Sequence, residues 1–191
     1  MRSLVPKLDS LSELHSELEC DISIITETWA KDNDKINEVF NDHEDKTGYV
    51  FIRKDRVGDQ RGGGVAISYK KDLITMTRAR LPRSNFEIVA AVGRRTGQRR
   101  KVVVLALYIP PWFSAERNRK ILRYINDCVI LLCNRYDNLY LIVGGDYNGR
   151  SHIDSVKDSP MLKPVVTPPT RGSRTLDIIL TNAQSDIVDQ E

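Results

Sequence analysis

Residues 86–92 and 101–108 form two strongly apolar runs, Ile88-Val89-Ala90-Ala91-Val92 within the first and Val102-Val103-Val104-Leu105-Ala106-Leu107 within the second. Between them lies Gly93-Arg94-Arg95-Thr96-Gly97-Gln98-Arg99-Arg100. Length, β-branched content and a polar, glycine-bearing connection predict two strands folded back as an antiparallel hairpin. The period then changes. Residues 115–135 place Ile121, Leu122, Ile125, Cys128, Val129 and Leu132 on one helical face, and residues 139–143 follow as a short buried strand ending at Gly144-Gly145. A hairpin followed directly by a strand–helix–strand unit excludes a purely parallel sheet and predicts mixed sheets covered by helices.

The rest of the chain fits that frame. Leu4, Leu8, Leu11, Leu14 and Leu18 recur at three- and four-residue steps, predicting a helix over residues 7–19. Asp21-Ile22-Ser23-Ile24-Ile25-Thr26-Glu27-Thr28 is rich in β-branched residues and reads as a strand with Glu27 at its C-terminal end. A short helix over 34–40, a strand over 49–52, an exposed polar loop over 55–60 and a strand entered through Gly62-Gly63-Gly64 follow. Residues 160–174 are prolines and turn formers, and residues 175–181 make the last strand.

At 191 residues and 40% hydrophobic content, the chain can close one core but not two. No apolar run approaches the roughly 18 residues of a membrane span, and no apolar stretch follows the charged N-terminus, so an intracellular protein is expected. Cys20, Cys128 and Cys133 form no C-x-x-C pair and leave an odd thiol, which disfavours a disulfide or zinc framework. A net charge of +3 permits anionic partners without requiring them.

Polar groups recur at the ends of apolar strands: Glu27, Tyr108, Asp146 with Asn148, and Asp177. Strand ends are rigid platforms on which distant residues can converge. Carboxylates, an amide and a phenol are oxygen ligands suited to a hard cation such as Mg²⁺, not to zinc. Two carboxylates in one cleft would repel, which should raise the pKa of at least one. Gly144-Gly145 would let backbone approach a ligand, or make a tight turn. The triple glycine lacks the Lys-Ser/Thr ending of a phosphate-binding loop and reads as a strand entry.

Val143-Gly144-Gly145-Asp146-Tyr147-Asn148 resembles the Gly-Asp-Phe-Asn signature of the endonuclease/exonuclease/phosphatase superfamily, with Tyr147 in the Phe place. Ile24-Ile25-Thr26-Glu27-Thr28-Trp29 is similar to its metal-binding Glu strand, and Tyr108-Ile109-Pro110-Pro111 to its Tyr-x-Pro-Pro step. Pro169-Thr170-Arg171 and Thr175-Leu176-Asp177-Ile178-Ile179 resemble its late Thr and strand Asp. Within the superfamily, Arg2-Ser3-Leu4, Thr26-Glu27-Thr28-Trp29 and the triple-glycine strand look most like endonuclease domains of non-long-terminal-repeat retrotransposons.

That resemblance implies an α+β fold, a four-layer α/β/β/α sandwich of two mixed β-sheets with the site at one edge. It implies Mg²⁺, with Mn²⁺ as an alternative, on Glu27. Asp146 would orient or deprotonate the attacking water, Asn148 and Tyr108 would face the phosphate, and Asp177 would orient its neighbours. Thr170 and Arg171 are weaker substrate contacts. The implied reaction is nicking of DNA in a nuclear protein that also carries a reverse transcriptase. Alternatives are a superfamily phosphodiesterase or phosphatase acting on inositol phosphates or sphingomyelin, and a degenerate domain that binds nucleic acid without catalysis.

The resemblance also implies a strand bearing Asn ahead of Arg2 and a Ser-Asp-His motif beyond Glu191, so a single domain truncated at both ends, with little activity of its own, is expected. Ser185-Asp186-Ile187 lacks the His. His15, on a helix, and His43, in a polar loop, are expected at the surface, and His152 is a poor stand-in for the missing His. Arg94, Arg95, Arg99, Arg100 and Lys101 read as a solvated hairpin tip or a DNA contact, and Trp29 and Trp112 as cleft lining or core.

Overall fold

A computed structural model describes residues 3–58, 61–148, 162–165, 169–170, 172 and 175–183. The strands are β1 (Ile22–Thr26), β2 (Tyr49–Lys54), β3 (Val65–Lys70), β4 (Ile74–Arg78), β5 (Glu87–Arg95), β6 (Lys101–Tyr108), β7 (Leu139–Asp146), β8 (Lys163–Pro164) and β9 (Asp177–Thr181). The helices are α1 (Leu8–Glu17), entered through a 3₁₀ turn at Val5–Lys7, α2 (Asp34–Thr47) and α3 (Ala115–Arg135). One sheet has the order β1-β3-β2 and the other β4-β5-β6-β7-β9-β8. The small sheet is antiparallel throughout. The large one is mixed, because β6 and β7 run parallel with α3 between them in sequence.

Three apolar layers separate four structural ones. Leu4, Leu8, Ala30 and Phe40 pack with Ile25 and Phe51 between α1, α2 and the outer face of the small sheet. Val65 and Ile67 of β3 meet Val89, Ala91, Val104 and Ala106 between the sheets. Ile121, Ile125 and Leu132 of α3 lie fully buried on the other face of the large sheet, against Val103, Leu105, Leu141 and Val143. Each such side chain contributes roughly 1.5–3 kcal/mol of burial. The alternation is strict along β6: odd positions face α3 and even positions face the small sheet. This is the α/β/β/α sandwich.

Several expectations need correction. α2 runs on to Thr47, because Asn33 caps it by accepting from the Ile36 N–H at 3.0 Å and Gly48, at φ 76°, ends it. Its second half is polar because much of it faces water. β4 escaped the sequence reading: Ile74 and Met76 are buried while Thr75, Thr77 and Arg78 are exposed, a period of two hidden by polar residues on an edge strand. Only the first part of the α1 leucine stripe is covered, Leu14 and Leu18 being exposed.

His15 and His43 are buried, not at the surface. His15 Nε2 is 2.9 Å from Ser23 Oγ and its ring lies 4.3 Å from that of Tyr49. His43 Nε2 is 3.2 Å from Ser12 Oγ, its ring 5.6 Å from Phe51. Burial holds both imidazoles below their usual pKa. They fasten the helices to the small sheet.

The glycine pair in β7 also has a role other than the expected one. A Cβ on Gly144 would stand 2.9 Å from Ile24 Cδ1, where β1 crosses β7, and one on Gly145 would stand 1.8 Å from the Leu107 carbonyl oxygen, at φ 144°. Both positions serve close approach of backbone to the protein itself. Gly145→Ala should therefore destabilise the fold by about 3 kcal/mol or more, whereas Gly97→Ala, which meets nothing within 4 Å but keeps φ at 77°, should cost about 1–2 kcal/mol. Urea unfolding of the two variants measures this, and equal midpoints would contradict the β6–β7 register.

Candidate active site

Register and alternation assemble the site. Glu87 pairs with Tyr108, Tyr108 with Asp146, and Asp146 with Asp177, so four strands of the large sheet carry one row of side chains at one end. The row lies on the face turned toward the small sheet, as Val89, Val104 and Ile142 on the same strands do.

Glu27 reaches this row from the other sheet. Ile24 faces the inter-sheet layer and Ile25 the helices, so alternation alone would aim Glu27 away. At Glu27 the backbone is left-handed, φ 57°, which breaks the alternation and turns the side chain inward. Its carboxylate accepts hydrogen bonds from the Trp29 indole N–H and the Gly63 N–H, the latter at 2.8 Å, and the Tyr108 phenol lies near enough to act on its charge. Both donors act on Oε2 and fill that oxygen's two acceptor positions.

The triple glycine is the floor beneath Glu27 as well as the entry to β3. Gly62, Gly63 and Gly64 have φ of 85°, 76° and 84°, and their backbone faces the side chains of Glu27, Arg56 and Thr28 in turn. A Cβ on Gly63 would overlap the Arg56 guanidinium at 2.2 Å. Only glycine supplies three such residues in succession without strain.

Arg56 and Glu87 are parts of the site that sequence reasoning missed, because Arg56 lay in a segment read as an exposed loop. It is a closed ion pair instead: Arg56 Nε is 2.7 Å from Glu87 Oε1, with the side chains 9% and 11% exposed. The Gly64 N–H donates to the other Glu87 oxygen. The guanidinium carbon lies 5.8 Å from the Tyr108 ring centre. The available signal was the Gly62-Gly63-Gly64 run just after Arg56, an unusual backbone that some neighbouring group must occupy.

Asp146 and Asn148 flank Tyr147, which is fully buried on the α3 side of the sheet and anchors the segment. Asp146 Oδ1 accepts from the Asn148 N–H at 2.7 Å, and Asn148 Nδ2 donates to the Ile109 carbonyl at 2.8 Å. One amide hydrogen of Asn148 is thereby committed and one remains to donate. Asn148 too is left-handed, φ 51°. The Thr170 hydroxyl accepts from the N–H groups of Leu176 and Asp177 at 2.9 and 3.1 Å. It fixes the start of β9, a positioning role. Arg171, His152 and Ser185-Asp186-Ile187 lie outside the described residues.

Electrostatics polarises the cluster. Burial pushes the Glu27 carboxyl up, but Tyr108, Gly63 and Trp29, with the Arg56 charge behind them, outweigh it and hold the group below the usual glutamate range. Glu27 is thus not the carboxylate raised by repulsion. Burial and the charges of Glu27 and Asp146 push the Tyr108 phenol up, with Arg56 offsetting them in part. At neutral pH the pair is an ionised carboxylate and a protonated donor.

The basic hairpin tip is at the far end of the sheet, about 23 Å from Tyr108 along β6. There Arg95 pairs with Asp21 at 3.4 Å, and Arg100 lies over the Tyr140 ring at 3.6 Å. It shares no surface with the site.

The model of the endonuclease/exonuclease/phosphatase family matches residues 1–188, and the chain belongs to that family. Its fold is similar to a mannosyl-6-phosphatase from Bacteroides thetaiotaomicron, at 14% identity and a TM-score of 0.71, over 92% of this chain and 76% of that one. The human Nocturnin catalytic domain aligns at 17% identity and 0.66, over 93% and 74%. The endonuclease domain of TRAS1, a telomere-specific non-LTR retrotransposon, aligns at 16% and 0.64, over 94% and 79%. No curated relative matches by sequence. Family and fold together define a phosphodiesterase or phosphatase scaffold.

Because Tyr108 acts with Gly63 and Trp29 to keep the Glu27 carboxyl low, Tyr108→Phe should raise the Glu27 pKa in the metal-free chain. Carboxyl-carbon NMR titration measures it. A Glu27 midpoint that stays put or falls would mean that the phenol does not hold the carboxylate.

Proposed function

We propose that this chain belongs to the endonuclease domain of a retrotransposon-type protein, and that the intact parent protein cleaves phosphodiester bonds of DNA with the help of Mg²⁺. The observation that supports it most is the meeting of Glu27, ionised and fed by donors, with the Tyr108–Asp146–Asp177 row. Among the described residues, no three His, Cys, Asp or Glu side chains stand close enough to ligate one ion. Such a donor set does not fit zinc. It fits Mg²⁺, which takes one or two carboxylates and completes its shell with water and substrate oxygens; Mn²⁺ has the same preference. Glu27 would hold the ion, which when bound would polarise a phosphoryl oxygen.

The chain's own groups supply the rest. Asp146, a carboxylate beside that oxygen-rich corner, accepts the proton of the attacking water. The remaining amide hydrogen of Asn148 donates to the phosphate, where charge grows during attack, and Tyr108 faces it from the next strand. Asp177, on the next strand, orients Asp146, and Thr170 keeps Asp177 in register. A cavity of about 740 Å³ that shares Arg56 with the site, though not Glu27 or the row, is lined by Lys31, Arg53, Lys54, Arg56 and Arg78 with Asp32 and Asp55 as acids. A cationic groove of this kind suits a polyanionic backbone better than a small neutral substrate. The likeness to TRAS1 accords with this reading, as the likeness to a sugar phosphatase accords with the alternative of a small phosphate ester.

Plasmid nicking in the full parent protein separates them. Asp146→Asn should lower the nicking rate by about 10²–10⁴ with the fold intact, and Glu27→Gln should move the Mg²⁺ titration to higher concentration. Release of phosphate from small esters without nicking would favour the phosphatase. DNA binding without nicking would favour a non-catalytic module.

A further inference from the structure

Trp112 follows the Tyr108-Ile109-Pro110-Pro111 step and is 60% exposed, although the strand leading to it is almost wholly buried. A lone exposed apolar side chain is ordinary. This one is not isolated from the chemistry: the Arg56 guanidinium carbon lies 5.2 Å from the indole centre and 5.8 Å from the Tyr108 ring. One side chain therefore bridges the indole and the phenol beside Glu27. A cavity of about 480 Å³ opens beside it, with Lys54, Arg56, Glu87, Trp112, Phe113 and Arg117 in its wall.

The charges of that wall are unequal in availability. Glu87 spends one oxygen on Arg56 Nε and the other on the Gly64 N–H. Asp55, also in the wall, is paired with Arg53 at 3.0 Å. The cations are less committed. Lys54 donates to the Ser84 carbonyl at 3.1 Å, and the Arg117 guanidinium lies over the Phe113 ring at 4.2 Å with no acid against it among the ion pairs of the described residues. Arg56 is only 9% exposed, and its Nη2 has no hydrogen-bond partner. An aromatic plate within a cationic rim, beside a phosphate-directed site, is the chemistry of a nucleotide: the ring accepts a base face and the rim accepts the phosphate.

A base within a duplex is covered on both faces by its neighbours and cannot offer one to an indole. We propose that the Trp112 cavity is a subsite for one unpaired nucleobase next to the scissile phosphate, with that nucleotide's own phosphate on Arg117 and Lys54. This rests on the DNA-cleavage reading and narrows its substrate to a strand with a displaced or single-stranded base beside the cut.

Equilibrium binding of an end-labelled short single-stranded DNA to the Asp146→Asn chain, with a single abasic site moved along the strand, tests both layers. One abasic position should weaken binding on the order of 10- to 100-fold. Trp112→Ala should bind every strand at that weakened level, and Trp112→Phe should restore most of the difference. If all abasic strands bind as tightly as the intact one, or if Trp112→Ala keeps the position-dependent loss, the subsite is wrong and the DNA reading stands. If the folded chain, checked by circular dichroism, binds no strand at all, the DNA reading fails and the subsite with it.

Discussion

The meeting of the Tyr108 phenol with the Glu27 carboxylate is the point on which the rest of the site depends, because it brings the two sheets' polar groups together at their functional end. Each partner alters the other. The phenol helps keep the carboxylate ionised despite burial, and the carboxylate helps keep the phenol protonated. Both are held from behind by Arg56, which Glu87 in turn fixes. The active corner is thus prepared in advance: its charge distribution is set by fixed donors and not by solvent.

Part of the backbone strain sits at the same place, the rest being at Ser3, Glu19 and Asn138. Glu27, Trp29 and Asn148 are left-handed without being glycine, and Gly62, Gly63 and Gly64 are left-handed in succession. Such residues cost on the order of 1–3 kcal/mol each when they are not glycine. The two sandwiched sheets offset that cost with their apolar layers, and Tyr147 and Ile109, fully or almost fully buried beside the site, hold its margins. The fold stabilises what the local sequence would not adopt alone.

Much of this was legible in the chain, for reasons that differ by element. β6, β7 and α3 are buried on both faces or along one stripe, so apolar periodicity marked them and placed Tyr108 and Asp146 at strand ends. The last apolar run put Asp177 at a strand end, but its pairing with Asp146 is a matter of sheet order that periodicity does not give. β4 and the second half of α2 carry their polar faces to water, and there periodicity was diluted. His15 and His43 are polar residues used as fasteners between helix and sheet, which spacing cannot reveal. Arg56 and Glu87 were hidden more deeply: their meeting depends on β2, β3 and β5 coming together, and a buried ion pair leaves no local pattern.

The proposed centre joins Glu27 and the Tyr108–Asp146 row at a single end of the sandwich and depends on a bound cation. Paramagnetic broadening by Mn²⁺, followed residue by residue in the amide NMR spectrum, reads this directly, since the effect falls off steeply with distance from the ion. The signals of Gly63, Tyr108 and Asp146 should vanish first as Mn²⁺ is added, while those at the hairpin tip around Gly97, at the far end of β6, stay sharp. Broadening centred on any other part of the chain, or spread evenly over it, would contradict the account.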